Sequence, residues 1–264
     1  MRIKLDGKTV YFGTGTGPVL EDYSGSNGAI VFVHGAGFDH SVWVMLARYF
    51  VRHGWLVVAP DLPGHGRSEG PALTTVEAMA DWVKELIDTT VGGAAVVVGH
   101  SMGSLVALSL AQRHGESVQR LGLLGTSNPM PVGAPLLDAA EDNDHAAYVM
   151  ANTWSHSTEG RIGSAQNPGM SNYMSGQRWL ERNSADTYYA DLNACNDFQP
   201  GELAITCPTL VVQGDADKMT PLRSGIKVAD ALGAQMVTLA GSGHALLNEQ
   251  GNEVLDALSG FLAE

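Results

Sequence analysis

The chain has 264 residues, 44% hydrophobic and 16% charged, enough for one large α/β domain and too apolar for a disordered chain. Its net charge is −13, from 15 basic and 28 acidic residues, and no basic cluster stands out. That excludes a nucleic-acid partner, whose phosphates must be neutralised by Lys and Arg.

In chain order, MRIKLDGKTVYF alternates apolar and polar residues and predicts a first strand. It has no apolar h-region, so no signal peptide is expected and the cytoplasm is the expected compartment. GTGTGP at Gly13–Pro18 is not a dinucleotide fingerprint, because Pro18 stands where the third glycine belongs and no helix follows. Ala29–His34, Trp55–Pro60, Ala94–Gly99, Val118–Leu124 and Pro208–Gly214 are short, apolar and rich in β-branched residues, as buried parallel strands are. Helical spacing appears between them, over Ser41–His53, Thr75–Asp88, Met102–His114 and Pro221–Leu232, and Ala245–Leu262 closes the chain. Thr74-Thr75 with Glu77 marks a helix start. This alternation predicts an α/β fold with a mainly parallel sheet and helices on both faces.

The alternation lapses between about 128 and 198, which predicts a helical cap insertion dividing a core of residues 1–127 and 199–264. Thr89 to Gln112 carries no Asp, Glu, Lys or Arg and is long enough to span a bilayer. Its His100, Gln112 and glycines favour a strand, a sharp turn and a helix, and no stable membrane association is expected. Cys195 and Cys207, the two cysteines, form no C-x-x-C and predict free thiols. No histidine pair has metal-ligand spacing and no P-loop is present, so neither metal nor cofactor is expected.

G-x-S-x-G occurs twice, centred on Ser101 in VVVGHSMGSL and on Ser68 in GHGRSEG. A nucleophilic serine needs a tight strand-to-helix turn that lifts its oxygen clear of the backbone. Ser101 has a buried strand before it and an apolar helix after it, whose N-terminus favours negative charge. Ser68 has Gly70-Pro71 after it and no helix start, which predicts a loop serine. A serine hydroxyl needs a base, and the base needs an orienting acid. His244, in LAGSGHALL, lies on a glycine-flanked loop after the strand-like Gln235–Leu239. Asp215 and Asp217, in VVQGDADKMTP, both follow a strand end and are both candidates for the acid.

Together, FVHGAGFDHSVW, APDLPGHGRSEG, VVVGHSMGSLVAL, VVQGDADKMTP and GSGHALLNEQ resemble the α/β-hydrolase fold family, in its capped esterase and lipase-like members. The resemblance implies an eight-stranded-type sheet, Asp217 as the acid, and an oxyanion hole from the N–H groups of Ala36 and Met102. It also implies that DLPGHGRS is a structural loop. Ser104 stands where the family often has glycine, and Gly251 where it often has proline. Dehalogenases and epoxide hydrolases of this fold carry aspartate in place of Ser101.

The function implied is hydrolysis of carboxylic esters with small or medium apolar acyl or aryl groups, through an acyl-enzyme. The partners expected are the ester and water, with a homodimer left open. A C–C hydrolase acting on a diketone ring-cleavage product is an alternative, as is a slow-turnover ligand receptor. Met130, Met150, Trp154, Met170, Tyr173, Met174 and Trp179 of the insertion could make an apolar pocket or the cap's own core. Phe38, His40, Trp154, Met174 and Leu246 are the candidate lining residues.

Overall fold

The structure is a computed structural model that describes residues 1–15, 27–163 and 171–263. Thr16–Pro18 of GTGTGP and Met170 lie outside the described residues.

The N-terminal segment is two strands rather than one, β1 (Arg2–Leu5) and β2 (Lys8–Gly13), paired antiparallel. Asp6 and Gly7 turn the chain between them with φ of 46° and 78°. Two positive φ angles in a two-residue loop are what an Asp-Gly hairpin turn supplies. The alternating pattern read as one strand continues across this turn because both arms bury one face.

After β2 come β3 (Ala29–Val33), α1 (Val44–Arg52), β4 (Leu56–Pro60), α2 (Val76–Thr90), β5 (Ala95–His100), α3 (Met102–Arg113) and β6 (Val118–Leu124). The start of α2 is capped by Thr75, whose hydroxyl accepts the Ala78 N–H at 3.1 Å. Among the described residues, five helices follow: α4 (Ala134–Glu141), α5 (Ala146–Ser155), α6 (Thr158–Arg161), α7 (Asn172–Leu180) and α8 (Ala185–Asp197). The chain then returns to the sheet through β7 (Thr209–Gly214), α9 (Leu222–Leu232) and β8 (Gln235–Leu239). It ends in α10 (Leu246–Glu249) and α11 (Gly251–Ala263). The predicted last helix is thus broken at Gln250, whose φ and ψ of −138° and 51° are not helical. Gly251 opens α11, a position where proline is also tolerated.

The eight strands form one sheet in the order β1-β2-β4-β3-β5-β6-β7-β8. β2 and β4 pair antiparallel, and every pair from β4 to β8 is parallel. Alternate side chains of the central strands feed two cores. Val31, Val33, Val97, Leu121, Leu123 and Val211 face α2, α3 and α9. Ile30, Phe32, Val96, Val98, Leu210 and Val212 face α1 and α11, with Phe32 stacked on Trp43. Burial on both faces explains why these strands read as unbroken apolar runs. A third cluster joins Leu136, Ala140, Ala147, Ala151, Leu180, Tyr188 and Leu192 of the inserted helices to Ala36, Phe38 and Met219 of the sheet domain. Among the described residues, no helix is long and apolar enough to cross a membrane. Thr89–Gln112 is the end of α2, all of β5 and most of α3. Cys195 and Cys207 are both free.

Candidate active site

Ser101 sits between β5 and α3 with φ 54° and ψ −123°, a conformation that costs a non-glycine residue energy and that only its surroundings can enforce. The surroundings are visible. A Cβ at Gly99 would collide with the Gly103 carbonyl, and one at Gly103 with the carbonyls of Val33 and His34. The two glycines therefore let α3 start directly against β3 and β5, which forces the turn at Ser101. The Ser101 N–H donates to the Leu124 carbonyl at 2.9 Å and ties the turn to β6. Ser104 is completely buried, with its hydroxyl 2.6 Å from the Ser101 carbonyl and 3.0 Å from Thr126 Oγ1. The serine in the glycine position thus fits and adds hydrogen bonds to the turn.

His244 Nδ1 donates to Asp217 Oδ2 at 2.8 Å. The Thr220 hydroxyl donates to the same oxygen at 2.7 Å and lies 3.1 Å from the ring nitrogen. Asp217 Oδ1 accepts the backbone N–H groups of Met219 and Thr220, both at 2.8 Å. Burial works to raise the carboxyl pKa of Asp217. The facing His244 ring and the Thr220 donors outweigh it and hold the pKa below the usual value. Asp215, by contrast, is exposed and accepts the Gly241 N–H at 2.7 Å. Of the two candidates, Asp217 meets the histidine. With Nδ1 donating to a carboxylate, Nε2 of the ring is free to take a proton.

Both Ser101 and His244 line a cavity of about 230 Å³. The sheet domain contributes Ala36, Phe38 and Thr220, and the inserted helices contribute Leu136, Trp154, Leu180, Tyr188 and Leu192. A Cβ built on Gly35 would lie 3.2 Å from Ser101 Cβ, so the loop holding Ala36 packs directly on the serine. Met102 is fully buried and opens α3, where a helical N–H has no acceptor within the helix. His100, also in the wall, donates from Nε2 to the His244 carbonyl at 2.9 Å. Burial, helped by the neighbouring His244, pushes its pKa down to about 3, so the ring is neutral.

Three of the predicted lining residues lie elsewhere. His40 Nδ1 is 2.7 Å from Asp61 Oδ1 and its ring packs on Tyr11, so the loop after β3 turns it toward the antiparallel edge of the sheet. Met174 is 52% exposed, because α7 presents that position to solvent. Leu246 is wholly buried but points into the core beneath α11, with Val254 and Leu258. Of the insertion's other candidates, Met130 lines the cavity, Trp179 packs edge-on to Phe38, and the Tyr173 hydroxyl pairs with Thr153. Thr220 escaped notice in the sequence, although an Asp three residues before a Thr is a turn signal. Ser68 is a linchpin of its loop. Its hydroxyl accepts the Tyr11 N–H at 2.9 Å and donates to the Asp61 carbonyl at 2.7 Å.

Comparison with known proteins agrees with this architecture. The profile of the alpha/beta hydrolase family matches residues 30–257. The chain belongs to that family. Protein ABHD8 of Bos taurus is 26% identical over 254 residues, covering 88% of this chain and 55% of that protein. The chain thus spans about half the length of the first curated relatives it matches. Among solved structures, a thermophilic esterase superposes with a TM-score of 0.82 at 27% identity, covering 100% of this chain and 96% of the other. The enol-lactonase from Burkholderia xenovorans LB400 superposes with a TM-score of 0.85 at 23% identity, with full coverage of both chains. The latter likeness is one of fold.

Proposed function

We propose that the chain hydrolyses carboxylic esters of small or medium apolar acids or aryl alcohols through a covalent acyl-serine. The observation that carries this reading is the strained Ser101 sharing one apolar-walled cavity with a histidine whose Nδ1 donates to the Asp217 carboxylate at 2.8 Å. The likeness to a thermophilic esterase supports it.

In this reading, Ser101 Oγ attacks the ester carbonyl carbon while His244 Nε2 takes its proton. Asp217 keeps the proton on Nδ1 and stabilises the imidazolium. The carbonyl oxygen, now negative, is met by the N–H groups of Ala36 and Met102. Loss of one such donor typically costs about 2.7–4 kcal/mol of barrier stabilisation. The imidazolium returns its proton to the leaving alcohol. Water then attacks the acyl-serine with His244 again as base, and Ser101 is regenerated. Leu136, Trp154, Leu180 and Leu192 would take the apolar part of the substrate.

A series of p-nitrophenyl esters from acetate to decanoate, with a fluorophosphonate label, tests this. The reading requires turnover in the ordinary enzyme range of about 1–1,000 per second on at least one ester, and phosphonylation of Ser101. Labelling elsewhere, or turnover far below about one per minute on every ester, would favour a binding protein on this fold.

A further inference from the structure

The loop Gly35–Gly37 is gripped from two sides. On one side Gly35 rests on Ser101. On the other, one residue of α8 and one of the α7–α8 connection hold both peptide groups of Gly37. Asp191 Oδ2, on α8 and completely buried, accepts the Gly37 N–H at 2.8 Å. Asn183 Nδ2 donates to the Gly37 carbonyl at 2.5 Å. Gly37 has φ +67°, and a Cβ there would come within 2.6 Å of the Tyr188 ring. The residue is thus shaped to fit against the cap.

The same Asp191 oxygen accepts His65 Nε2 at 2.8 Å, while His65 Nδ1 donates to the Pro63 carbonyl at 3.1 Å. Both ring nitrogens of His65 face oxygen acceptors, an arrangement that favours the imidazolium. Burial opposes that charge, but the Asp191 carboxylate outweighs it and raises the His65 pKa. The negative charge on Asp191 is therefore balanced inside the protein. Breaking one partner of such a pair leaves an uncompensated buried charge.

We propose that Asp191 is a positioning residue for the oxyanion donor: by fixing Gly37 it sets the direction of the adjoining Ala36 N–H, and so makes the seating of the cap a condition for turnover. This rests on the ester-hydrolase reading above. The peptide that carries the Gly37 N–H joins the peptide that carries the Ala36 N–H at the Ala36 Cα, so pinning the first narrows the φ and ψ open to Ala36 and with them the aim of its N–H. A donor aimed where charge develops acts on the transition state more than on the bound ester. Asp191 touches no substrate in this arrangement and acts only through the loop.

The test uses the full chain with Asp191→Asn, which keeps size and one acceptor oxygen but removes the charge, and with Asn183→Ala, a milder half-buried change. Each is measured by steady-state kinetics, by affinity for an aryl trifluoromethyl ketone, and by hydrogen exchange of the Gly37 amide. The account expects kcat to fall roughly tenfold to a hundredfold in Asp191→Asn and roughly threefold to tenfold in Asn183→Ala, with KM nearly unchanged. The ketone, which forms a tetrahedral oxyanion on the serine, should weaken by the same factors. Gly37 exchange should quicken in Asp191→Asn while β5 and β6 keep their protection. Unchanged kcat, a rise in KM alone, or losses that only track the unfolded fraction would overturn the proposal. If the wild-type chain hydrolyses no ester, the parent reading fails, and the Gly37 exchange alone decides whether Asp191 holds this loop.

Discussion

Glu249 accepts the backbone N–H of Gly243, the residue before His244, at 2.6 Å. Its other oxygen accepts the Ser157 N–H of the cap at 2.8 Å. One buried carboxylate therefore joins the histidine loop to the inserted helices. Glu249→Ala removes both bonds and frees the loop. The expected result is a kcat lower by on the order of tenfold to a hundredfold with a folded protein, as loss of fixed geometry predicts. Steady-state kinetics beside circular dichroism checks it, and an unchanged kcat counts against a positioning role.

Asp217→Asn presents an amide where His244 Nδ1 needs an acceptor, which favours the wrong tautomer. Its kcat should drop by about 10⁴. Asp215→Asn alters only an exposed turn that accepts Gly241, so its activity should stay within about twofold, consistent with surface changes of about ±0.5 kcal/mol. The reverse pattern would move the acid to Asp215.

Ser68→Ala loses both the Tyr11 and Asp61 bonds. A Tm lower by roughly 3–8 °C is expected from two part-buried hydrogen bonds, with activity per folded molecule preserved. Thermal melts and kinetics on the same preparation decide it. Loss of activity without loss of Tm would give Ser68 a chemical role.

Stability should fall with acid from mildly acidic pH. His34 and His100 are buried and neutral, with pKa values lowered to about 4 and about 3, chiefly by burial. Below about 6.5 the unfolded chain takes up protons that the folded chain refuses, so stability drops as pH falls through that window. Two such groups give a slope of up to roughly 2–3 kcal/mol per pH unit between about 6 and 4.5. Asp217, with a lowered pKa, adds a loss further down, as pH falls through its folded value. His65 runs the other way. Its raised pKa gives stability that is present below about 6.5 and fades as pH rises through the folded value. Urea midpoints at pH 7, 6 and 5 should decline in that order, and a flat series would contradict the neutral state of the two rings.

The strands and the serine turn were legible because their signals are local. β-branched runs mark buried parallel strands, and glycines at Gly99 and Gly103 mark a close crossing. The choice between Asp215 and Asp217 was not open to residue spacing alone, since both follow the same strand end. The ties of Asp191 to Gly37 and of Glu249 to Ser157 join segments 154 and 92 residues apart, and nothing near either carboxylate announces its partner. The pocket was less legible than the loops that carry Ser101, Asp217 and His244. Met174 and Leu246 have pocket-like chemistry, but which face of a short helix meets the cavity depends on tertiary packing.

The most direct measurement is hydrolysis of p-nitrophenyl butyrate by Ser101→Ala beside Ser68→Ala and the unaltered chain. The account predicts that kcat/KM falls at least about 10³-fold in the first and is nearly unchanged in the second. Full activity in folded Ser101→Ala would contradict the acyl-serine mechanism outright.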